Sequence, residues 1–191
     1  MLTYKEFLNE SIRDMMTPKS MDDFSPEGLL FYAIEYGQLE LVPIAIQKGA
    51  KGNVGGEETE KGGVEGDTAL LRALENGYTE VAQTLIENGA DLEAKNAGEF
   101  TLLIWAAWRG EPGIVEMLIE NGANLEATDD YGMTALINAS LEGHTEVVEI
   151  LVKNGANVNA KTTSGFTSLM VATKDNRTDI VEILKKHGAK E

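Results

Sequence analysis

The chain has 191 residues, 42% of them hydrophobic, with 32 acidic against 16 basic side chains and a net charge of −16. Phosphate backbones and anionic leaflets would repel such a surface, so nucleic acid and membrane are poor partners, a basic protein would be steered toward it, and a soluble monomer is expected. The absence of Cys excludes disulfides, thiolate chemistry and Cys-ligated metals, and the longest apolar run, Leu102 to Trp108, is too short to span a bilayer.

Residues 1–24 place Tyr4, Phe7, Leu8, Ile12, Met15 and Met16 at helical spacing before Pro18. This pattern predicts an amphipathic helix. Lys5, Glu6, Glu10, Arg13 and Asp14 break the apolar core that a secretory leader needs, so a cytoplasmic location is the default expectation. The helix is expected to cap the apolar face of the first repeat, with recruitment of another protein as the alternative.

From residue 25 onward the chain repeats. Thr68, Thr101, Thr134 and Thr167 stand 33 residues apart, each with a Leu two positions on, and Gly89-Ala90, Gly122-Ala123, Gly155-Ala156 and Gly188-Ala189 keep the same step. The units predicted are 25–50, 66–98, 99–131, 132–164 and 165–191. The first is degenerate, with Leu30, Ala33, Gly37, Glu40 and Gly49-Ala50, and its Pro43 is expected in the first turn of a helix, where a missing N–H costs little. Between the first and second units the step lengthens to 40, and the extra residues fall in 51–65, rich in Gly and Glu. A polar surface insertion is predicted there, or a flap beside a binding face.

The fourth unit, read with the turn that leads into it from Asp129 as far as Ala160, is the clearest copy. It reads as turn, helix, turn, helix, loop. Asp129-Asp130-Tyr131-Gly132 has turn chemistry. Leu136 and Ala139 share a face of a first helix, which Gly143 ends in the left-handed region. Thr145 is the expected cap of a second helix, with Glu146 in its first turn. Val147, Val148, Leu151 and Val152 form its apolar stripe, and Gly155 stops it. The stripe recurs from Val81, Ile114 and Ile180, and the small Ala73, Ala106, Ala139 and Ala172 recur on the first helix, where they let neighbouring helix pairs approach closely. One helix pair cannot bury such a stripe alone, and stacking does so.

The Thr-x-Leu-x-x-Ala opening, Gly143-His144, Glu146-Val147-Val148 and Gly155-Ala156-Asn157-Val158-Asn159-Ala160 resemble the ankyrin repeat, over residues 25 to 191. The resemblance implies an all-α solenoid of about five stacked helix-turn-helix repeats with an N-terminal capping helix. The family's His after Leu is replaced by Phe31, Leu71, Ile104, Ile137 and Met170, so apolar stacking is expected in place of its hydrogen bonds. Asn176 stands where other repeats have Gly and can adopt positive φ.

Catalytic and metal signatures are missing. The two histidines, His144 and His187, fall at a turn and a helix end. There is no Walker A pattern, no zinc-type His pair and no calcium loop, so neither a cofactor nor a metal is expected and the chain is read as a non-enzyme. Ankyrin-like stacks bind proteins in a concave groove of finger turns and first helices. Carried over position by position, the groove would hold Phe100, Met133 and Phe166, each preceding a Thr, with Asp67 in the same column. Trp108, Arg109, Leu141 and Glu142 would close their first helices, and Asp130 and Tyr131 would sit on a finger. Trp105 is expected to be partly buried. Glu75, Asp130, Glu142 and Asp175 would make an acidic rim with Asp67, so the expected partner offers an apolar anchor with basic flanks. Two alternatives stay open: a self-associating scaffold without a groove ligand, and an enzyme with a carboxylate site. Light scattering over a concentration series separates self-association from the rest, and the mass of a single chain throughout is the expected outcome.

Overall fold

A computed structural model describes residues 24–52, 68–96 and 98–190. The expected helix within 1–24, nearly all of the 51–65 insertion and Asp67 lie outside them. Within the described residues the chain is all helix and turn, in five successive helix pairs: α1 (Pro26–Glu35) with α2 (Val42–Gln47), α3 (Ala69–Glu75) with α4 (Thr79–Glu87), α5 (Leu102–Arg109) with α6 (Pro112–Glu120), α7 (Ala135–Glu142) with α8 (Thr145–Lys153), and α9 (Ser168–Lys174) with α10 (Thr178–Lys186). First helices form one layer, in which α1 packs on α3, α5 on α7 and α7 on α9. Second helices form the other, with α8 between α6 and α10.

Each first helix starts the same way. The hydroxyls of Thr68, Thr101, Thr134 and Thr167 accept hydrogen bonds from the N–H groups of Leu71, Ile104, Ile137 and Met170 at 3.2, 3.4, 3.3 and 3.3 Å. All four Thr are buried, so their hydroxyls satisfy amide donors that water cannot reach. This is why the column is Thr and not an aliphatic residue of similar size. Behind each cap, Ala73, Ala106, Ala139 and Ala172 are fully buried between helix pairs, beside Leu85, Leu118, Leu151 and Leu184 from the second helices. The core is therefore one continuous ribbon through the stack.

The second helices begin differently from expectation. Thr145 is the first residue of α8, and His144 occupies the cap position without a side-chain cap bond; Tyr78, Glu111 and Arg177 stand likewise in their repeats. In the last two repeats the residue at this position turns away from its own helix toward the preceding repeat. His144 Nε2 donates to the Trp108 carbonyl at 3.0 Å, and Arg177 Nη2 donates to the Glu142 carbonyl at 3.3 Å. A carbonyl only accepts, so the His144 proton sits on Nε2. The second helix of one repeat thus closes the open C-terminal end of the previous first helix.

Three other expectations meet the structure directly. Pro43 lies in the first turn of α2, after a 3-10 turn over Leu39–Leu41. Asn176 adopts φ 57°. Of the apolar residues replacing the family's His, Phe31, Leu71, Ile104 and Ile137 are buried by the next repeat, whereas Met170 is 42% exposed. The stacking expectation fails at Met170 because no described helix lies over it.

The loop edge is sewn by a ladder. Glu93 Oε1 accepts from Asn124 N at 2.8 Å, Glu126 Oε1 accepts from Asn157 N at 2.8 Å, and Asn159 Oδ1 accepts from Lys190 N at 2.9 Å. Each bond joins one repeat to the next. Replacing Thr134 by Ala is expected to lower stability by about 1 kcal/mol, and Thr134→Ser by much less, as read by urea titration of helicity.

Candidate functional site

The turns preceding α5, α7 and α9 project as fingers. In each, one side chain organises the loop. Asn96 Oδ1 accepts from Gly98 N and Phe100 N at 2.9 and 3.1 Å, Asp129 Oδ1 accepts from Tyr131 N and Met133 N at 2.9 Å each, and Thr162 Oγ1 accepts from Phe166 N at 3.0 Å. A backbone bond closes each finger, Asn96 N to Phe100 O at 3.0 Å, Asp129 N to Met133 O at 3.3 Å and Thr162 N to Phe166 O at 2.9 Å. Asp129 is buried in this role, which leaves Asp130 as the carboxylate presented to solvent.

The expected groove residues divide by exposure. Tyr131 is 72% exposed, Phe166 48% and Trp108 45%. Phe100, Met133 and Leu141 are half-buried, and Phe100 packs against the core. Trp105 is buried, beyond the partial burial expected of it, and lies under the Arg109 guanidinium at 5.2 Å. Arg109 also pairs with Glu111 at 3.8 Å, so its charge is partly engaged within the chain. Exposed aromatic side chains on a rigid scaffold lose little rotamer freedom when covered and offer large apolar area, the usual makings of an interface anchor. Met170, 42% exposed, adds an apolar side chain on the stacking face of the last repeat, which no described helix covers. Sequence reasoning missed it, because a residue equivalent to four buried ones gives no sign of its own exposure.

The acidic rim narrows on inspection. Glu75 pairs with Arg72 at 3.3 Å. Asp130, Glu142 and Asp175 are exposed and carry no ion pair among the described residues. The uncompensated carboxylates thus lie in the fourth and fifth repeats, on the units that carry Tyr131 and Phe166. Lys174 adjoins Asp175 in sequence, and the Arg177 guanidinium lies on the backbone carbonyl of Glu142.

The backbone supporting Trp108 is fixed from the neighbouring repeat. Its carbonyl is held by His144, and Gly110, at φ 72°, ends α5 directly beneath the same imidazole. A Cβ at Gly110 would land on the His144 ring.

Among the described residues no group of three or more His, Asp or Glu could hold a metal ion. No described helix is long and apolar enough to cross a membrane. Stacked helix pairs with finger turns define a repeat solenoid that offers a surface rather than an enclosed pocket. The family model for ankyrin repeats (3 copies) matches over residues 4–96, 30–129 and 103–191, and the chain belongs to the ankyrin repeat family. Ankyrin repeats are generally protein–protein interaction modules and typically non-enzymatic scaffolds. No curated protein matches the chain.

Gly110→Ala is expected to destabilise the stack by more than about 1 kcal/mol, from left-handed strain plus displacement of His144. The double variant with His144→Ala should recover part of that loss. Additive losses in a denaturation cycle would exclude the coupling.

Proposed function

We propose that this chain binds a protein partner on the concave side of its third to fifth repeats, where finger turns and first helices meet. The reading is carried by one observation: along the third to fifth repeats Trp108, Tyr131 and Phe166 are exposed, together with Asp130, Glu142 and Asp175, whose carboxylates carry no ion pair among the described residues. The partner that fits offers an apolar side chain for the aromatic row and Lys or Arg on either side of it. Met133, Leu141 and Phe100, half-buried, and Arg109 belong to the same proposed surface.

The two kinds of contact divide the work. Burial of an aromatic side chain supplies most of the affinity, at about 25 cal/mol per Å² of apolar area removed from water. The rim carboxylates act mainly on the rate of encounter, so added salt should slow association more than it speeds dissociation. The net charge of −16 reinforces the same preference for a basic partner. The bound form is taken to be one chain of this protein per partner site.

Trp108 and Phe166 are 45% and 48% exposed, so replacing both by Ala should lower the melting temperature modestly through lost packing and leave the helicity unchanged. Capture of the partner from native lysate should fall by about tenfold or more. Retention of the full partner set by a folded double variant rules out the groove.

A further inference from the structure

Asn is followed by Gly at Asn76-Gly77, Asn88-Gly89, Asn121-Gly122 and Asn154-Gly155. Such a step carries its own chemistry. Glycine has no side chain to shield its amide, so its nitrogen can reach the carboxamide carbon of the Asn before it and close a cyclic imide. Each of these Asn ends a helix, with φ between −82° and −94° and ψ between −3° and 13°. All of them are exposed, and each Gly amide donates to the carbonyl three residues back: Gly77 to Leu74, Gly89 to Ile86, Gly122 to Ile119 and Gly155 to Val152, at 2.9 to 3.1 Å. Backbone and access to water are thus matched.

The side chains are not. Asn88, Asn121 and Asn154 end second helices, and the Nδ2 of each donates to the carbonyl one turn back, of Thr84, Met117 and Ile150, at 2.8 Å. That bond engages the group that must leave and points the carboxamide back along the helix, away from the glycine nitrogen. Asn76 ends a first helix, α3. Its backbone N–H donates to the Arg72 carbonyl at 3.1 Å, but its carboxamide makes no hydrogen bond among the described residues. Nothing lies within 4 Å of where a Cβ on Gly77 would stand, so the ring has room to form.

We propose that Asn76 is a site of spontaneous modification, deamidating in the folded chain well ahead of Asn88, Asn121 and Asn154. When the end of α3 opens, the Gly77 nitrogen gives its proton to water and attacks Asn76 Cγ. The new C–N bond forms, the Cγ–Nδ2 bond breaks, and the leaving nitrogen takes up a proton and departs as ammonia. Water then opens the imide at either carbonyl and leaves aspartate or isoaspartate. The net change consumes water, releases ammonia and involves no oxidation or reduction.

The position gives the modification its consequence. By the repeat step, Asn76 is the counterpart of Arg109, Glu142 and Asp175. The product carboxylate falls in the column where the fourth and fifth repeats already carry exposed acids, so the fold accommodates one there. It extends the acidic rim to the second repeat. This consequence rests on the groove reading, in which it favours the same basic partner; the reactivity of Asn76 does not.

The test holds the full chain in warm buffer at neutral pH and follows deamidation at each Asn by peptide mapping with mass spectrometry. Asn76 should convert at least about fivefold faster than Asn88, Asn121 or Asn154, the protection that one side-chain hydrogen bond provides. In urea, where that bond is lost, the rates should converge. A native rate at Asn76 no higher than the others overturns the proposal. So does a lead that persists undiminished in urea, because the fold is then not its cause. Asn76→Asp should keep the wild-type helicity and melt close to the wild type, and an unfolded variant overturns the claim that the stack carries the modified residue. The rates are read without a partner, so failure of this site leaves the groove standing, and failure of the groove leaves the rates untouched.

Discussion

Every helix pair in this chain has an apolar stripe that it cannot cover by itself. Val147, Val148, Leu151 and Val152 of α8 are buried only because α6 and α10 flank them. Stability therefore resides in the interfaces between repeats as much as in the repeats. The rest of the structure serves that constraint. Small Ala side chains set the spacing, buried Thr caps start each first helix at the same height, and His144 and Arg177, at second-helix starts, close the helix end of the repeat before them. A position can be released from stacking only where the stack does not need it, and the exposed aromatics occupy such positions.

This constraint explains why the fold was legible in the sequence and much of the proposed binding face was not. A stack repeats its demands at a fixed interval, so Thr, Ala, Leu and Gly return at that interval and can be read without coordinates. The finger and helix-end columns could be located for the same reason. Which members of a column are covered is a separate matter. Phe100 and Phe166 are equivalent by register, yet one is half-buried against the core and the other is exposed. Met170 shares its column with Ile104 and Ile137 and differs from them in having no described helix above it. Burial depends on the neighbour, and the neighbour is not written at the position itself.

Two details show where pattern and chemistry part. Thr145 followed by Glu146 has the composition of a helix cap, but His144 holds the cap position and reaches back to Trp108. The gain is a bond across repeats, which local preference cannot register. Glu99 is the opposite case. Nothing in its identity signals positive φ, a conformation that Gly132 and Gly165 announce by being glycine. Irregularity in a regular array is informative only once the array's geometry says what the regular residue was for.

The loop-edge ladder has a mechanical consequence. From Glu93 to Lys190 it ties the second repeat to the third, the third to the fourth and the fourth to the fifth. Among the described residues, the finger edge is bonded between the fourth and fifth repeats and unbonded between the third and fourth. Along the loop margin the spacing of four successive repeats is thus fixed by backbone amides held on side chains, while on the helix side the third and fourth repeats are tied by His144 on the Trp108 carbonyl instead.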